Sequence, residues 1–443
     1  MNPEVACPTL PESCDVIVVG AGPAGSACAQ LLAKAGLAVV LVDQHAFPRD
    51  KICGDGLIPD AHQALRKLGV YDEVMAQAHP AMHVGCIGPS GGRVDVPGSV
   101  AVLPRKVLDH ILVRAAQRSG AVLHAPLRFE GPMLDGATTH GPVGDAAAEP
   151  GKVAGHGADT VADRGARVVG ARLKSGDHVH EVRAPWVVLA TGAVPQAMIA
   201  SDLCQRRTPT GIALRGYVKN PAMVGRIRAL EIIWHKRLKQ GYAWIFPCPD
   251  GVFNIGVGLG DCFGLAGTGR LRMQDVNLRE LFAAFCDLYP PARELMAGGV
   301  QQGQLKGAPL RCGLDGARLS RPGLLVIGEA AGTTYSFTGE GIGKALETGL
   351  HAAQALLAGR AAQPVDDGAV RADYEARLLA LKPRFEMYEK ANRVNVYPWL
   401  ADLVIWRARK SARLLARMSG VLNETTNPGA LISFKGLRRL FTE

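Results

Sequence analysis

Asp15-Val16-Ile17-Val18-Val19-Gly20-Ala21-Gly22-Pro23-Ala24-Gly25, followed one helix's length later by Val39-Val40-Leu41-Val42-Asp43-Gln44, decides the fold of this chain. An apolar run of strand type leads directly into G-x-G-x-x-G. Ser26 to Gly36, rich in Ala and Leu, reads as a helix. A second apolar strand then ends in an acid about 20 residues past the glycines, the layout of a dinucleotide-binding βαβ unit. Gly20 allows the tight turn, Gly22 lets backbone approach a pyrophosphate, and Gly25, after Ala24, lets helix and strand pack closely. The helix N-terminus offers N–H donors to phosphates, and Asp43, with Gln44 beside it, is placed to accept from ribose hydroxyls.

The chain of 443 residues is long enough for more than one domain. With 48% hydrophobic and 20% charged residues it has the composition of a soluble globular protein. Its longest apolar stretch, residues 16–33, is broken by Gly20, Gly22, Pro23 and Gly25 and belongs to the nucleotide unit, so no membrane span is expected. No charged region followed by an apolar core opens the chain, so no secretory signal is expected. Ten cysteines lack C-x-x-C pairs and metal-ligand spacing, which points to a reduced, cytoplasmic protein without zinc or an iron–sulfur cluster.

The net charge of +10 matters for where it falls. Arg407, Arg409, Lys410, Arg413 and Arg417, then Lys435, Arg438 and Arg439, cluster near the end, with Leu403, Val404, Ile405, Trp406, Leu414 and Leu415 among them at helical spacing. Such a helix can lie on an anionic membrane, which would place the protein at the inner membrane face. The simpler reading, which the sequence favours, packs the apolar side on the domain and leaves the arginines solvated. Nucleic acid is not expected, since the basic residues are not interleaved with stacking aromatics.

The remaining pattern predicts helices over 57–69 and 105–119, ending at Gly69 and Gly120. Residues 131–165, dominated by Gly, Ala, Pro, Asp and Thr, read as a flexible insertion. Val168 to Val182 alternates as a hairpin, and Trp186 to Ala190 is a buried strand running into Thr191-Gly192. Period-two strands over Gly211–Val218, Ala229–Trp234, Tyr242–Phe246 and Val252–Val257 predict a mixed or antiparallel sheet. The domain plan is therefore a nucleotide-binding domain in three parts (1–80, 101–204 and 306–360). Substrate-domain strands at 81–100, a β-sheet substrate domain at 205–305 and a helical region at 361–443 complete it.

A second signal follows Leu324-Leu325-Val326-Ile327: Gly328-Glu329-Ala330-Ala331-Gly332, then Thr338-Gly339-Glu340-Gly341-Ile342-Gly343, opening a helix expected from Gly341 to Ala358. Glu329 can face a ribityl chain or ribose. The glycine-rich helix entry presents free N–H groups and a positive dipole end, which suits the N1–C2=O edge of an isoalloxazine ring. At this point residues 13–360 resemble the FAD-dependent oxidoreductases of the p-hydroxybenzoate hydroxylase type. The resemblance implies a Rossmann-type α/β domain with an inserted mixed β-sheet, and FAD as the cofactor. It also implies contact of Arg105, in Arg105-Lys106-Val107-Leu108-Asp109, with the flavin nucleotide.

Two further motifs narrow the resemblance. Lys51-Ile52-Cys53-Gly54-Asp55-Gly56 is similar to the K-x-C-G-[GD]-G loop of geranylgeranyl reductases, and Tyr242-Ala243-Trp244-Ile245-Phe246-Pro247 to their Y-x-W-x-F-P strand. The resemblance implies hydride transfer from reduced FAD to an isolated carbon–carbon double bond of a polyprenyl chain, a prenyl lipid or a quinone side chain. Lys51, Cys53 and Gly54 would lie beside the flavin, and Tyr242, Trp244 and Phe246 would line the lipid cavity. An unactivated alkene needs a proton donor on one face and hydride on the other, in a dry slot. Cys53, Lys51, Asp55, Tyr242 and Trp244 are the candidate catalytic residues. Lys51 and the glycine-rich turn would lower the Cys53 thiol pKa if the loop is open to the flavin, giving Cys53 a role in proton delivery or in gating the flavin. The same cysteine reads equally as a small buried hydrophobe, and the three aromatics as sheet core. Glu231 and His235 are weaker candidates that a solvated polar face explains as well.

Three positions depart from the flavin pattern. Thr191 stands where an acid is usual, Glu329 replaces Asp, and Ser336 replaces a proline and adds a hydroxyl to the candidate substrate site. No second complete G-x-G-x-x-G appears, so NAD(P)H and a ferredoxin-like electron-donor protein both stay open as reductant. The rival readings are a flavin monooxygenase or halogenase, although W-x-W-x-I-P differs at Tyr242 and Phe246, and a non-catalytic prenyl-binding carrier.

Overall fold

The computed structural model describes residues 9–136, 165–238, 240–260, 276–361, 366–431 and 436. Val16–Val19 is a strand of four buried β-branched residues at the centre of a six-stranded sheet. Parallel partners flank it on both sides, Val39–Val42 and Trp186–Leu189, in the registers Val16↔Val39 and Val16↔Trp186. Leu324–Val326 extends the sheet beyond Trp186–Leu189, and Val122–His124 beyond Val39–Val42. Strands covered on both faces can be apolar throughout, which is why these segments show runs rather than alternation. Each fully buried Val, Leu or Ile here stabilises the fold by about 1.5–3 kcal/mol.

The helix Pro23–Lys34 starts at Gly22 with Pro at its first turn. It packs on the helix Ile342–Arg360, where Gly349 lets Ala24 approach; a Cβ there would lie 2.2 Å from the Ala24 carbonyl oxygen. The helices Pro59–Lys67 and Arg105–Arg118 fall where the sequence puts them. So does the hairpin of Val168–Ser175 and His178–Arg183. One expectation needs correction. Residues 131–134 are not loop but the end of the strand Arg128–Leu134, which joins that hairpin to make a three-stranded sheet. Gly131 and Pro132 hid the strand, and a register shift beside Gly131 accommodates them. Residues 137–164 of the predicted insertion lie outside the described residues.

The second sheet has eight strands and is mixed. Gly211–Lys219, Gly241–Pro247 and Val252–Gly260 run antiparallel, while Leu230–Ile233 pairs parallel with His79–Ile87. Beyond residue 366 the described chain is helical. Trp399–Ala408 and Ala412–Leu422 pack against His79–Ile87 and Arg93–Val102. Among the described residues no helix is long and apolar enough to cross a membrane.

Candidate functional site

A cavity of about 1110 Å³ runs from the glycine-rich turn at Gly20, between the two sheets, to the C-terminal helices. Its first end is built by the βαβ unit. Gly20 has φ +102, and a Cβ on it would lie 2.3 Å from the Ala190 carbonyl oxygen. A Cβ on Gly25 would lie 1.8 Å from the Gly20 carbonyl oxygen, so both glycines are fixed by close approach. Gly22 faces open space ringed by cations, with Arg49 and Arg105 Nη2 at 3.7 and 3.8 Å from where its Cβ would be. Buried Asp109 holds both guanidiniums, accepting from Arg105 Nε at 2.6 Å and Arg49 Nη1 at 3.0 Å. Asp43 accepts from Ala21 N and His45 N at 3.0 Å and pairs with Arg49 Nη2 at 3.3 Å. A helix N-terminus, two arginines and an acid at the strand end are a set of groups that can hold a nucleotide pyrophosphate and ribose. Gln44 also lines the cavity.

Further along, Lys51 Nζ and Glu329 Oε2 converge on Gly192, 3.9 and 4.0 Å from its would-be Cβ. Glu329 Oε1 accepts from Thr334 Oγ1 at 3.3 Å. Ile342–Arg360 begins at Gly341 without a side-chain cap, and Gly341 and Ile342 line the cavity, so the helix N-terminus opens onto it. Gly328 packs against the Ala24 methyl, and Gly339 takes φ +67. The Thr191 and Ser336 hydroxyl oxygens are buried here without a hydrogen-bond partner among the described residues. Orphaned hydroxyls, an uncapped helix N-terminus and the cationic cradle fit FAD, whose pyrophosphate and ring edge supply the missing acceptors.

The Cys53 loop and the aromatic strand meet. Tyr242, Trp244 and Phe246 share one strand face, with ring centroids 6.2 and 6.3 Å apart, and all three line the cavity. Trp244 Nε1 donates to Asn254 Oδ1 at 2.9 Å, and Asn254 Nδ2 donates at 2.8 Å to both the Cys53 carbonyl and Asp55 Oδ2. Asp55 also accepts from Tyr217 OH at 2.5 Å and from Arg105 N at 3.3 Å. With three donors on its buried carboxyl and a backbone at φ +66, Asp55 acts as the bracket of the loop; burial still pushes it up to about 6. Tyr242 OH donates to the Thr338 carbonyl, tying the aromatic strand to the Gly339–Ile342 turn.

The expected lowering of the Cys53 pKa is corrected. Burial pushes the thiol up, outweighing the Arg105 charge, so Cys53 is a neutral thiol rather than a thiolate. Burial likewise raises the Tyr242 phenol, with Glu340 the next cause. Glu231 and His235 do not face the cavity. Glu231 is buried and pairs with Arg93 Nη1 at 2.5 Å and Tyr289 OH at 2.8 Å, while His235 Nδ1 accepts from Arg237 N.

Residues that the sequence did not single out complete the site. Trp234 stacks on Phe337, at 6.4 Å between ring centroids, and lies 6.3 Å from Tyr242. Val404, Ile405, Met418 and Leu422 of the C-terminal helices face the strand residues Val84, Cys86 and Val96 across the cavity's apolar end. Beside the Gly339–Ile342 turn lies a buried charge cluster. Lys344 Nζ holds Glu347 at 2.6 Å, Glu424 at 3.0 Å and Asp60 at 3.6 Å, and Arg384 pairs with Glu424 at 2.5 Å. With Glu340, four carboxyls face two cations; burial pushes Asp60 up to about 7 and Glu340 up to about 8. Asp109 stood in the quoted Arg105–Asp109 stretch without a role, and Arg49 lies two residues before the Lys51 motif; an acid four residues after Arg105, on the same helix face, was the available signal.

A FAD binding domain family model matches residues 13–153. The menaquinone reductase of Mycolicibacterium smegmatis is 32% identical over 364 residues, 78% of this chain and 76% of the relative. A digeranylgeranylglycerophospholipid reductase of Methanopyrus kandleri is 29% identical over 76% of this chain and 78% of its own length. Among solved structures, a geranylgeranyl bacteriochlorophyll reductase-like protein from Thermoplasma acidophilum aligns at TM-score 0.67 and 21% identity, covering 98% of this chain and 96% of its own. The flavin-dependent brominase Bmp2 also aligns at 0.67, with 19% identity over 97% of this chain and 98% of its own. Both structures share the fold. On the identity with the menaquinone reductase and the two motifs that meet at one cavity wall, the chain belongs to the geranylgeranyl reductase family of FAD-dependent oxidoreductases.

Proposed function

We propose that the chain is a reductase that saturates a carbon–carbon double bond of an isoprenoid chain, on a prenyl lipid or a quinone side chain. The observation that carries this reading is the continuity of one aromatic face, Tyr242 to Phe246, from the flavin-binding turns into an apolar cavity. When bound and reduced, FAD supplies a hydride. NAD(P)H or a ferredoxin-like protein would serve as its electron donor.

The residues of the chain do the rest. Arg49, Arg105 and the N-terminus of Pro23–Lys34 bind the pyrophosphate, and Asp43 the ribose. Trp234, Tyr242, Trp244 and Phe246 hold the alkene and exclude water, which strengthens every charge interaction inside. Ser336 borders the same space. The Cys53 thiol, kept neutral by burial, can give its proton to one alkene carbon as hydride reaches the other. One π bond is thereby replaced by two C–H bonds, and Lys51, two residues before Cys53 in the same loop, would return a proton to the thiolate.

The test is anaerobic. The FAD-loaded protein is reduced, and prenyl quinones and prenyl lipids are added one at a time. Reoxidation of the flavin with a product heavier by two hydrogens supports the reading. Reoxidation only with oxygen, and a product carrying an added oxygen or halogen, overturns it. Purified protein without flavin colour would favour a prenyl-binding carrier.

A further inference from the structure

The helix Trp399–Ala408 has two apolar faces. On the inner one Leu400, Ala401, Val404, Ile405 and Ala408 are buried, and Ala401, Val404 and Ile405 wall the cavity. On the outer one Trp399 is 59% exposed and Trp406 48% exposed, with Leu403, half-buried and also packed on the core, between them. Positions i, i+4 and i+7 fall on one stripe of a helix. Tyr397, 54% exposed, stands immediately before it. The sequence put Trp406 on the packed side, and the structure corrects that: the inner face is complete without it. Large aromatics so exposed within ten residues mark a contact surface rather than a water-facing one.

The charge around this stripe has one sign. Between Arg393 and Arg417 the chain has six basic residues, Arg393, Arg407, Arg409, Lys410, Arg413 and Arg417, and one acid, Asp402. Asp402 is engaged, accepting from Ser90 N at 3.0 Å and Ser90 Oγ at 2.8 Å. Lys410 lies 5.3 Å from the centre of the Trp406 ring. Indole and phenol rings with apolar bodies and polar edges suit the headgroup level of a bilayer, and lysines and arginines beside them suit anionic phosphates.

We propose that the outer face of Trp399–Ala408 seats the protein on an anionic lipid bilayer, with Trp399 and Trp406 at the interface and Arg393, Arg407, Arg409 and Lys410 on lipid phosphates. This rests on the isoprenoid reading, since such a substrate dissolves in lipid and not in water. The helix that touches the membrane is also the wall of the cavity, so seating brings the substrate site within one helix diameter, about 10 Å, of the lipid.

The test uses the full-length, FAD-loaded protein and sedimentation with vesicles of phosphatidylcholine alone or mixed with phosphatidylglycerol. The protein is expected to bind the anionic vesicles, less so at high salt, with a blue shift of its tryptophan fluorescence. R409Q/K410Q should weaken binding about tenfold or more, and W399S/W406S should abolish the fluorescence shift. Both variants should retain flavin colour and reduce a detergent-dispersed prenyl substrate as the wild type does. Equal binding to both vesicle types, or wild-type binding by the tryptophan variant, overturns the proposal. So does a concentration-dependent dimer that the tryptophan variant loses, which would assign the stripe to a second copy. Vesicle binding as described without alkene reduction would defeat the functional reading and leave the membrane surface standing.

Discussion

Gly54 lies flat against Phe246: a Cβ on Gly54 would sit 3.2 Å from the ring's Cε2 and 3.7 Å from Trp244 Nε1. The loop that carries Cys53 is thus seated directly on the aromatic strand, and Asn254 fastens it there by its bonds to the Cys53 carbonyl and Asp55. Any side chain at position 54 must displace either the loop or the rings. We expect Gly54→Val to slow alkene-driven flavin reoxidation about tenfold or more while FAD stays bound, because the cofactor cradle at Gly20 to Gly25 is untouched. Stopped-flow reoxidation alongside FAD dissociation checks this; equal loss of both would mean the loop serves retention instead.

Cys53 is the proton donor in the proposed step. Cys53→Ala should lower the rate of alkene reduction about 10²-fold, in line with general acid catalysis, and leave flavin content unchanged. A rate within about twofold of wild type would make the thiol a packing residue.

Asp109 is fully buried and holds two guanidiniums. Removing one partner of a buried ion pair leaves uncompensated charge, so Asp109→Asn should destabilise the FAD-free protein by about 3 kcal/mol. It should also leave Arg49 and Arg105 free to move, weakening FAD binding. Chemical denaturation and a flavin-release titration measure the two effects separately.

The cluster at Glu340 gives a pH dependence whose sign is fixed. Burial raises the Glu340 carboxyl from an ordinary 4.5 to about 8, and Asp60 from 3.8 to about 7, so the folded state holds these protons more tightly than the unfolded one. Their stabilisation is complete below the unfolded values and is lost as pH rises through about 7 to about 8. Around Glu340 stand Asp60, Thr338, Tyr242, Tyr388, Lys344 and Glu424, the last also held by Arg384 and Tyr335. Melting temperature should therefore fall from about pH 6 to about pH 9 in the wild type, and Glu340→Gln should reduce that fall by about 2 °C or more. His62, held down to about 4 by burial and by Arg66, acts at lower pH in the opposite direction and is common to both proteins. Parallel melting curves with identical slopes against pH would contradict this.

The nucleotide half of the fold was legible because its signals are local. Val16–Val19, the glycines and Asp43 lie within one βαβ unit, and period and spacing alone place them. Tyr242, Trp244 and Phe246 were legible as one face for the same reason. What the sequence withheld is long-range. Asn254 and Tyr217 reach Asp55 across 199 and 162 residues. Nothing in the pattern of the helices 399–408 and 412–422 tells that their buried sides wall the cavity rather than a solid core. The direction of the Cys53 shift failed because a charged neighbour is visible in sequence and desolvation is not. The strand residues 131–134 failed because Gly131 and Pro132 count as breakers until the partner strand is known.

The central claim is that FAD and an isoprenoid chain share this cavity, with the hydride-bearing edge turned toward Tyr242, Trp244 and Phe246. A crystal structure of the FAD-loaded protein soaked with a prenyl quinone tests it most directly. The account predicts the pyrophosphate between Gly22, Arg49 and Arg105, and prenyl density against the three rings, running toward Val404 and Ile405. A flavin edge bordered by ordered water and charged side chains, with the prenyl chain elsewhere, would contradict it.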